Sequence, residues 1–357
     1  MKLQSSASVL LLASGIPLCS AWGTLGHDTI AYVATNFVSS ATKTYFQTIL
    51  GDTSTDYLAS VATWVTFPTS SNLLSHCPSQ TTPKFKDAVL ISLQADSYRY
   101  TTAGKFSAPF HYIDALDNPP STCGVNYSRD CGTGGCVVSA INNYTTRVKT
   151  TTLSSAERII AAKMLVHEFG VSNSETHFSL CFSPHGLGSH IQVWIYISDI
   201  AFQFIGDIHQ PLHDENLDVG GNDIDVTFDG ASTNLHAIWD TAIPEKLIGG
   251  YALSDAKSWA TTLTTAIKTG TYKSSASSWL TGMKLSDPVA SSMIWAGDSN
   301  AYVCTTVMPK GVSPLETVDL AGDYYTGVVG VVEEQVAKAG YRLAAWLNLI
   351  ATGSTGL

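Results

Sequence analysis

The sequence predicts a mainly α-helical protein, built as a single domain with one short β-hairpin. Three observations lead there. Four long stretches place apolar residues at helical spacing and open on or near Ser or Asp, while "NDIDVTFDG" (222–230) alternates as a strand or hairpin does. The chain has 357 residues, 45% hydrophobic and only 13% charged, which is enough to bury a large core. Beyond the first residues, no run supplies the roughly 20 apolar residues that span a bilayer. The nearest candidate, Ile191 to Ile205, is interrupted by Asp199.

Residues 1–21 carry Lys2, an apolar run through Val9, Leu10, Leu11, Leu12 and Ala13, and a tail ending in Ala21, which is the build of a secretory signal peptide. Gly15 and Pro17 would break an ordinary helix there. Cleavage after Ala21 leaves Trp22 as the first residue of an exported, extracellular protein. The helical stretches then follow in order: "SSAERIIAAKMLVH" (154–167), "SDAKSWATTLTTAIKTG" (254–270), "DPVASSMIWAGDSNAYVC" (287–304) and "YYTGVVGVVEEQVAKAGYRLAAWLNLIA" (324–351).

Export agrees with the cysteines. Of seven, Cys19 leaves with the signal. Cys131 and Cys136 flank "GTGG", a loop short enough for a local disulfide, which leaves Cys123 and Cys304 as a long-range pair. Asn126 in "NYS" and Asn143 in "NYT" are acceptor sequons for N-glycosylation. The net charge of −10 argues against a nucleic-acid binder working through a basic surface. If the substrate is a polyanion, something other than Lys and Arg must supply positive charge.

The segment "FIGDIHQPLHDENLDVGGNDIDVTFDGASTNLHAIWD" (204–240) concentrates Asp207, His209, His213, His236 and Asp240. His236 and Asp240 are four apart, so a helix sets them on one face, one turn apart. Imidazole and carboxylate together favour zinc or a similar borderline cation, whereas calcium prefers oxygen alone. "FHYID" adds His111 and Asp114, and the first helical stretch ends on His167. Single histidines are more often core or surface residues; the density of the set in a chain of low charge makes the case. His209 lies off the spacing and is expected only to hydrogen-bond nearby.

"WGTLGH" from Trp22, "APFHYIDALDNPP", "GDIHQPLHDENLDVGGNDIDVTF" and "NLHAIWD" resemble the secreted, zinc-dependent, single-strand-preferring nucleases of fungi and plants, the S1/P1 nuclease family. The resemblance covers nearly the whole chain from Trp22 to the C-terminal helix. It implies the helical fold shared by phospholipase C and the single-strand nucleases, and a cluster of three zinc ions. Asp96, His111, His167 and Asp207 resemble the ligands of the first zinc; His213, His236 and Asp240 match the second. Trp22, through its free α-amino nitrogen and carbonyl oxygen, joins His27 and a bridging Asp207 at the third. A terminal amine titrates at about 7.7–8.0, so a metal displaces its proton near neutrality. Signal cleavage is then a step in making the site.

By the same resemblance Asp96 orients the attacking water and Arg99 in "ADSYRY" neutralises charge at the scissile phosphate. Tyr112 and Asp114 fall at the base-binding site. The implied activity is endonucleolytic hydrolysis of single-stranded RNA and DNA to 5′-phosphorylated products, with removal of 3′-phosphate from 3′-nucleotides, by a protein expected to be a monomer. A base-stacking pocket needs an exposed base, which favours single strands over duplex. The rival reading is a phospholipase C-like phosphodiesterase with a related zinc cluster. A non-catalytic zinc glycoprotein would need a closed, saturated site.

Two stretches depart from the family pattern. Removing residues 65–94 restores "ATWADSYRY", and removing residues from about 168 to 203 restores "LVHFIGD", with His167 and Asp207 four apart. Neither has the periodicity of its flanks, and they carry the remaining cysteines, Cys77 and Cys181. Each ends in Gln, which CAG encodes; the first opens on Val, and the second contains Val171-Ser172, which GTAAGT encodes. These are the bases that bound introns. Both are therefore expected to be retained introns interrupting a domain that runs from 22 to 357. The competing expectation is a pair of surface loops, which chain entropy tolerates.

Overall fold

Apolar periodicity sets the frame of the computed structural model, which describes residues 22–61, 105–166 and 204–357. The leader, both inserts, Asp96, Arg99 and His167 lie outside the described residues. Seven helices of eight or more residues are described: α1 (Gly23–Thr35), α2 (Ser40–Leu50), α3 (Val137–Lys149), α4 (Ser155–Val166), α5 (Leu253–Lys268), α6 (Pro288–Tyr302) and α7 (Asp323–Thr352). Their boundaries follow local chemistry. Ser39 Oγ accepts from Thr42 N at 3.1 Å to cap α2, and Asp287 Oδ1 accepts from Ala290 N at 3.0 Å ahead of Pro288 to cap α6.

The helix α1 packs between α5 and α7, while α3 packs on α4 and α6. At the α1–α7 crossing a Cβ on Gly340 would come within 2.5 Å of Val33 and 3.0 Å of the Ile30 carbonyl, so only glycine lets the two backbones approach this closely. Trp22, Trp239, Trp295 and Trp346 are fully buried and fill the core. Four residues, Phe204–Asp207, form one helical turn against α4, with Phe204 stacked on Tyr144 of α3 at 5.6 Å.

The alternating segment forms the expected hairpin. Strands β1 (Asp225–Phe228) and β2 (Ala231–Asn234) pair antiparallel, from Asp225 opposite Asn234 to Phe228 opposite Ala231. The turn residues Asp229 and Gly230 both have positive φ (49° and 78°), the conformation a two-residue hairpin favours. Val226 and Phe228 face the core while Asp225 faces solvent. After β2 the chain turns straight into the short helix Leu235–Ala237, capped by Asn234, whose Oδ1 accepts from Ala237 N at 2.8 Å.

Both disulfides are formed, Cys123–Cys304 and Cys131–Cys136. The first joins residues 181 apart in sequence, so it removes much of the freedom of the unfolded chain. Replacing Cys123 and Cys304 together with serine is expected to cost about 2–5 kcal/mol. Denaturant unfolding of the non-reduced protein measures it, and an unchanged midpoint would refute the estimate. Asn126 and Asn143 are exposed, as acceptors for glycosylation must be. Among the described residues no helix is long and apolar enough to cross a membrane.

Candidate metal centre

The site is assembled from the short turns between α4 and α5, the start of α1, and the 3-10 turn Lys105–His111 that lies between α2 and α3. On one side, Asp207 at the end of its turn stands between two imidazoles. Its Oδ2 is 2.9 Å from His111 Nδ1 and its Oδ1 is 3.6 Å from His27 Nε2. A carboxylate that offers one oxygen to each of two histidines has the arrangement expected of a bridging ligand. Trp22 is buried beside it, with its indole Nε1 donating to Gly206 O at 3.1 Å. Trp22, His27, His111 and Asp207 are thus gathered at one place, each no more than 6% exposed.

On the other side, His213, His236 and Asp240 offer ligand atoms that all lie within 4.8 Å of one another. His236 Nε2 is 3.0 Å from His213 Nε2 and 3.3 Å from Asp240 Oδ2. Bonds of 2.0–2.1 Å to a tetrahedral zinc would hold neighbouring nitrogens about 3.3 Å apart. The helical reading of "HAIWD" needs one refinement. The turn Leu235–Ala237 passes into a π-helical turn, Ile238–Ala242, and the i, i+4 pair survives it. Such turns recur at functional sites.

The tautomers follow from the outer contacts. His213 Nδ1 donates to His111 O at 2.6 Å and His236 Nδ1 donates to Gly220 O at 2.7 Å. With both Nδ1 atoms protonated, the two Nε2 lone pairs face each other, and their 3.0 Å approach requires a cation or a shared proton between them. The donor set therefore fits zinc. Burial alone would push the Asp240 carboxyl up, but His236, His213 and an amide bond from Gln210 Nε2 at 2.7 Å hold it below the ordinary carboxylate range. A second link ties the halves together: Ile113 N donates to His213 O at 2.8 Å.

His209 behaves as expected and turns away. Its Nδ1 donates to Ile205 O at 2.6 Å, and its Nε2 meets Arg342 Nη1 at 3.0 Å. Burial, then the Arg342 charge, keep it well below the usual histidine range, so it stays neutral and accepts from the guanidinium. Tyr112 and Asp114 are half-buried just past His111. Burial first, and Asp130 second, raise the Asp114 carboxyl. Sequence reasoning missed Gln210 and Gly220, which orient ligands without binding metal. Their signal was adjacency alone, Gln210 between two histidines and Gly220 in "DVGGN".

Gly220 sits in a strained run in which Asp218, Val219, Gly220 and Gly221 all have positive φ, 48°, 57°, 60° and 78°. That path delivers the Gly220 carbonyl to His236. A Cβ there would lie 2.6 Å from Leu212 O and 3.4 Å from His236 Nδ1. Gly220→Ala is expected to cost about 1–3 kcal/mol from backbone strain and to displace the His236 ring. Zinc content and the thermal midpoint check it, and a fully loaded variant of unchanged midpoint would refute it.

Five buried histidine and aspartate donors, His27, His111, His213, His236 and Asp240, with Asp207 set between the first two, define a protein with a candidate metal centre on a helical frame. The family model for "S1/P1 Nuclease" matches residues 22–67, 68–172 and 193–352, and the chain belongs to that family. It is 47% identical over 347 residues to "Nuclease S1" of Aspergillus oryzae (strain ATCC 42149 / RIB 40), covering 97% of this chain and 96% of the relative. "Nuclease P1" of Penicillium citrinum is 44% identical over 329 residues, covering 92% and 97%. "Endonuclease 3" of Arabidopsis thaliana is 27% identical over 349 residues, covering 96% and 93%. The chain is accordingly a nuclease, a hydrolase of phosphodiester bonds, and the phospholipase reading is set aside.

Proposed function

We propose that the mature protein, beginning at Trp22, is a secreted monomeric endonuclease that holds three zinc ions. It cleaves single-stranded RNA and DNA to 5′-phosphorylated products and removes 3′-phosphate from 3′-nucleotides. The observation that carries the metal reading is Asp207 placed between His27 and His111 beside Trp22, with His213, His236 and Asp240 as a second group. One zinc would be held by His111, His167, Asp96 and Asp207, one by His213, His236 and Asp240, and one by Trp22, His27 and Asp207. Bound there, zinc supplies Lewis acidity, lowering the pKa of water toward neutrality and offsetting charge on the phosphate and the leaving 3′ oxygen.

The chain's own side chains do the rest. Asp207 spans two ligand sets and fixes their spacing. Gln210 and the Gly220 carbonyl hold Asp240 and His236 in register for the donors they present. Asp96 orients the attacking water and Arg99 neutralises the growing phosphoryl charge. Tyr112 stacks on an unpaired base, and Asp114, raised by burial, bonds its edge. The metal charge also accounts for an acidic protein that grips a polyanion.

The test is hydrolysis of a single-stranded RNA, the same sequence as duplex, a 3′-nucleotide and phosphatidylcholine, before and after dialysis against a zinc chelator. Cleavage of the strand and the 3′-nucleotide, lost on chelation and restored by zinc, is the expected result. Cleavage of the duplex at the same rate, or activity that survives chelation, would refute the reading.

A further inference from the structure

The turn that carries Asp207 is too short to hold itself. Phe204–Asp207 is a single helical turn, and an isolated turn of that length has no stability of its own in water. The residues just after it include Gln210, which orients Asp240, and His213. The long helix α7 grips this stretch through His209. That residue is fully buried, its Nδ1 donates back to Ile205 O at 2.6 Å, and its own carbonyl accepts from Gln335 Nε2 at 2.8 Å. The bond from ring to carbonyl closes a loop from Ile205 to His209, with Asp207 at its midpoint.

Arg342 decides which way that ring bonds. A guanidinium only donates. Its Nη1 is 3.0 Å from His209 Nε2, so that nitrogen must present a lone pair and the proton must sit on Nδ1, facing Ile205 O. The opposite tautomer would aim a lone pair at a carbonyl oxygen 2.6 Å away and open the loop. Arg342 is itself fixed, because Nε donates to Trp279 O at 2.8 Å and Nη2 pairs with Asp298 of α6. Trp295, also of α6, lies against the His209 ring with centroids 5.9 Å apart.

Stability alone gives no reason for this arrangement. Arg342 is 1% exposed, and well-packed apolar side chains in place of a buried ion pair are often neutral or stabilising. Gln335 is fully buried with Oε1 unserved among the described residues, so what its amide provides is the bond to His209. On the reading of Asp207 as a zinc ligand, we propose that Arg342 and Gln335 are positioning residues for it, acting through His209. They set the turn so that the two Asp207 oxygens face His111 and His27 at once. Partners that hold a metal ligand in place are worth about 10–100-fold in metal affinity.

The test compares mature wild type with Arg342→Met, Gln335→Met and Lys338→Met. Lys338 is a buried cation one turn before Arg342 on the same helix, but it is bonded to Glu334 and Tyr302 and not to the turn. Competition with a chromophoric chelator measures zinc affinity, and melts of the metal-free proteins measure the frame. Arg342→Met and Gln335→Met are each expected to weaken the hold on at least one zinc by about tenfold or more, while Lys338→Met matches wild type. In Arg342→Met the part-exposed Asp298 is left to water. Lower metal-free melting temperatures with unchanged zinc affinity would make the role one of frame alone and overturn the proposal. An equal loss in Lys338→Met would assign the effect to charge and overturn it too. Nitrogen NMR of histidine-labelled, metal-free protein should show the His209 proton on Nδ1 in wild type and not in Arg342→Met; a wild-type proton on Nε2 contradicts the clamp. Should Arg342→Met fail to fold, Gln335→Met decides. A wild type that holds no zinc refutes the zinc reading and the proposal with it, whereas zinc held equally by wild type and both folded variants refutes the proposal alone.

Discussion

A protein that keeps one alanine ahead of Trp22 is expected to bind one zinc ion fewer than the mature form and to cleave single-stranded RNA at least about 100-fold more slowly. The extra residue converts the α-amine of Trp22 into an amide, which cannot donate a lone pair to a metal. An effect of that size needs only about 2.7 kcal/mol of lost transition-state stabilisation, within what one catalytic metal supplies. The structure supports the position. Trp22 is fully buried, its indole is tied to Gly206 next to Asp207, and α1 begins immediately after it. Its φ of 57° is unfavourable for a bulky residue inside a chain, but φ ceases to exist once the preceding residue is removed. Zinc analysis and single-turnover cleavage on matched preparations decide the matter. Removing the added alanine with an aminopeptidase should restore both, and an extended protein with full zinc and full rate would exclude Trp22 as a ligand.

Most of the frame could be read from the sequence because most of it is amphipathic. The stretches 154–167, 254–270, 287–304 and 324–351 correspond to α4, α5, α6 and α7, and alternation with a terminal Asp-Gly marked the hairpin. The helix α1 escaped for a physical reason: eleven of its residues, from Gly23 to Ala34, are buried, so no polar face gives it a period. In the site, His236 and Asp240 were legible from spacing, since the i, i+4 relation survives a π turn. The pairing of Asp207 with His27 and His111 was not, because it joins three segments across long sequence separation. Only the family resemblance placed these together. The carbonyls that fix the imidazoles, at His111 and Gly220, leave no side-chain signature at all.

Removing residues 65–94 and 168–203 together is expected to raise zinc content toward three ions per chain and to increase single-strand cleavage by two orders of magnitude or more. The described parts motivate this. α4 ends at Val166, and the turn that carries Asp207 begins at Phe204 and packs against α4. Joined directly, His167 and Asp207 would be four apart on one continuous helix, the spacing that aims two side chains at one ion. The first cut likewise brings Asp96 and Arg99 next to Trp64 in the chain. A long loop costs little entropy by itself. The larger cost is geometric, because ligands one helical turn apart keep their relative direction only while the intervening backbone stays helical. The full-length and shortened proteins, both starting at Trp22, should be compared by metal analysis and rate, and the transcript should be sequenced beside them. Messenger RNA lacking both segments, with metal and activity confined to the shortened chain, would mark them as introns. Messenger RNA that retains them, with equal zinc and equal rate in both proteins, would make them true loops and require His167 and Asp207 to meet from separate elements.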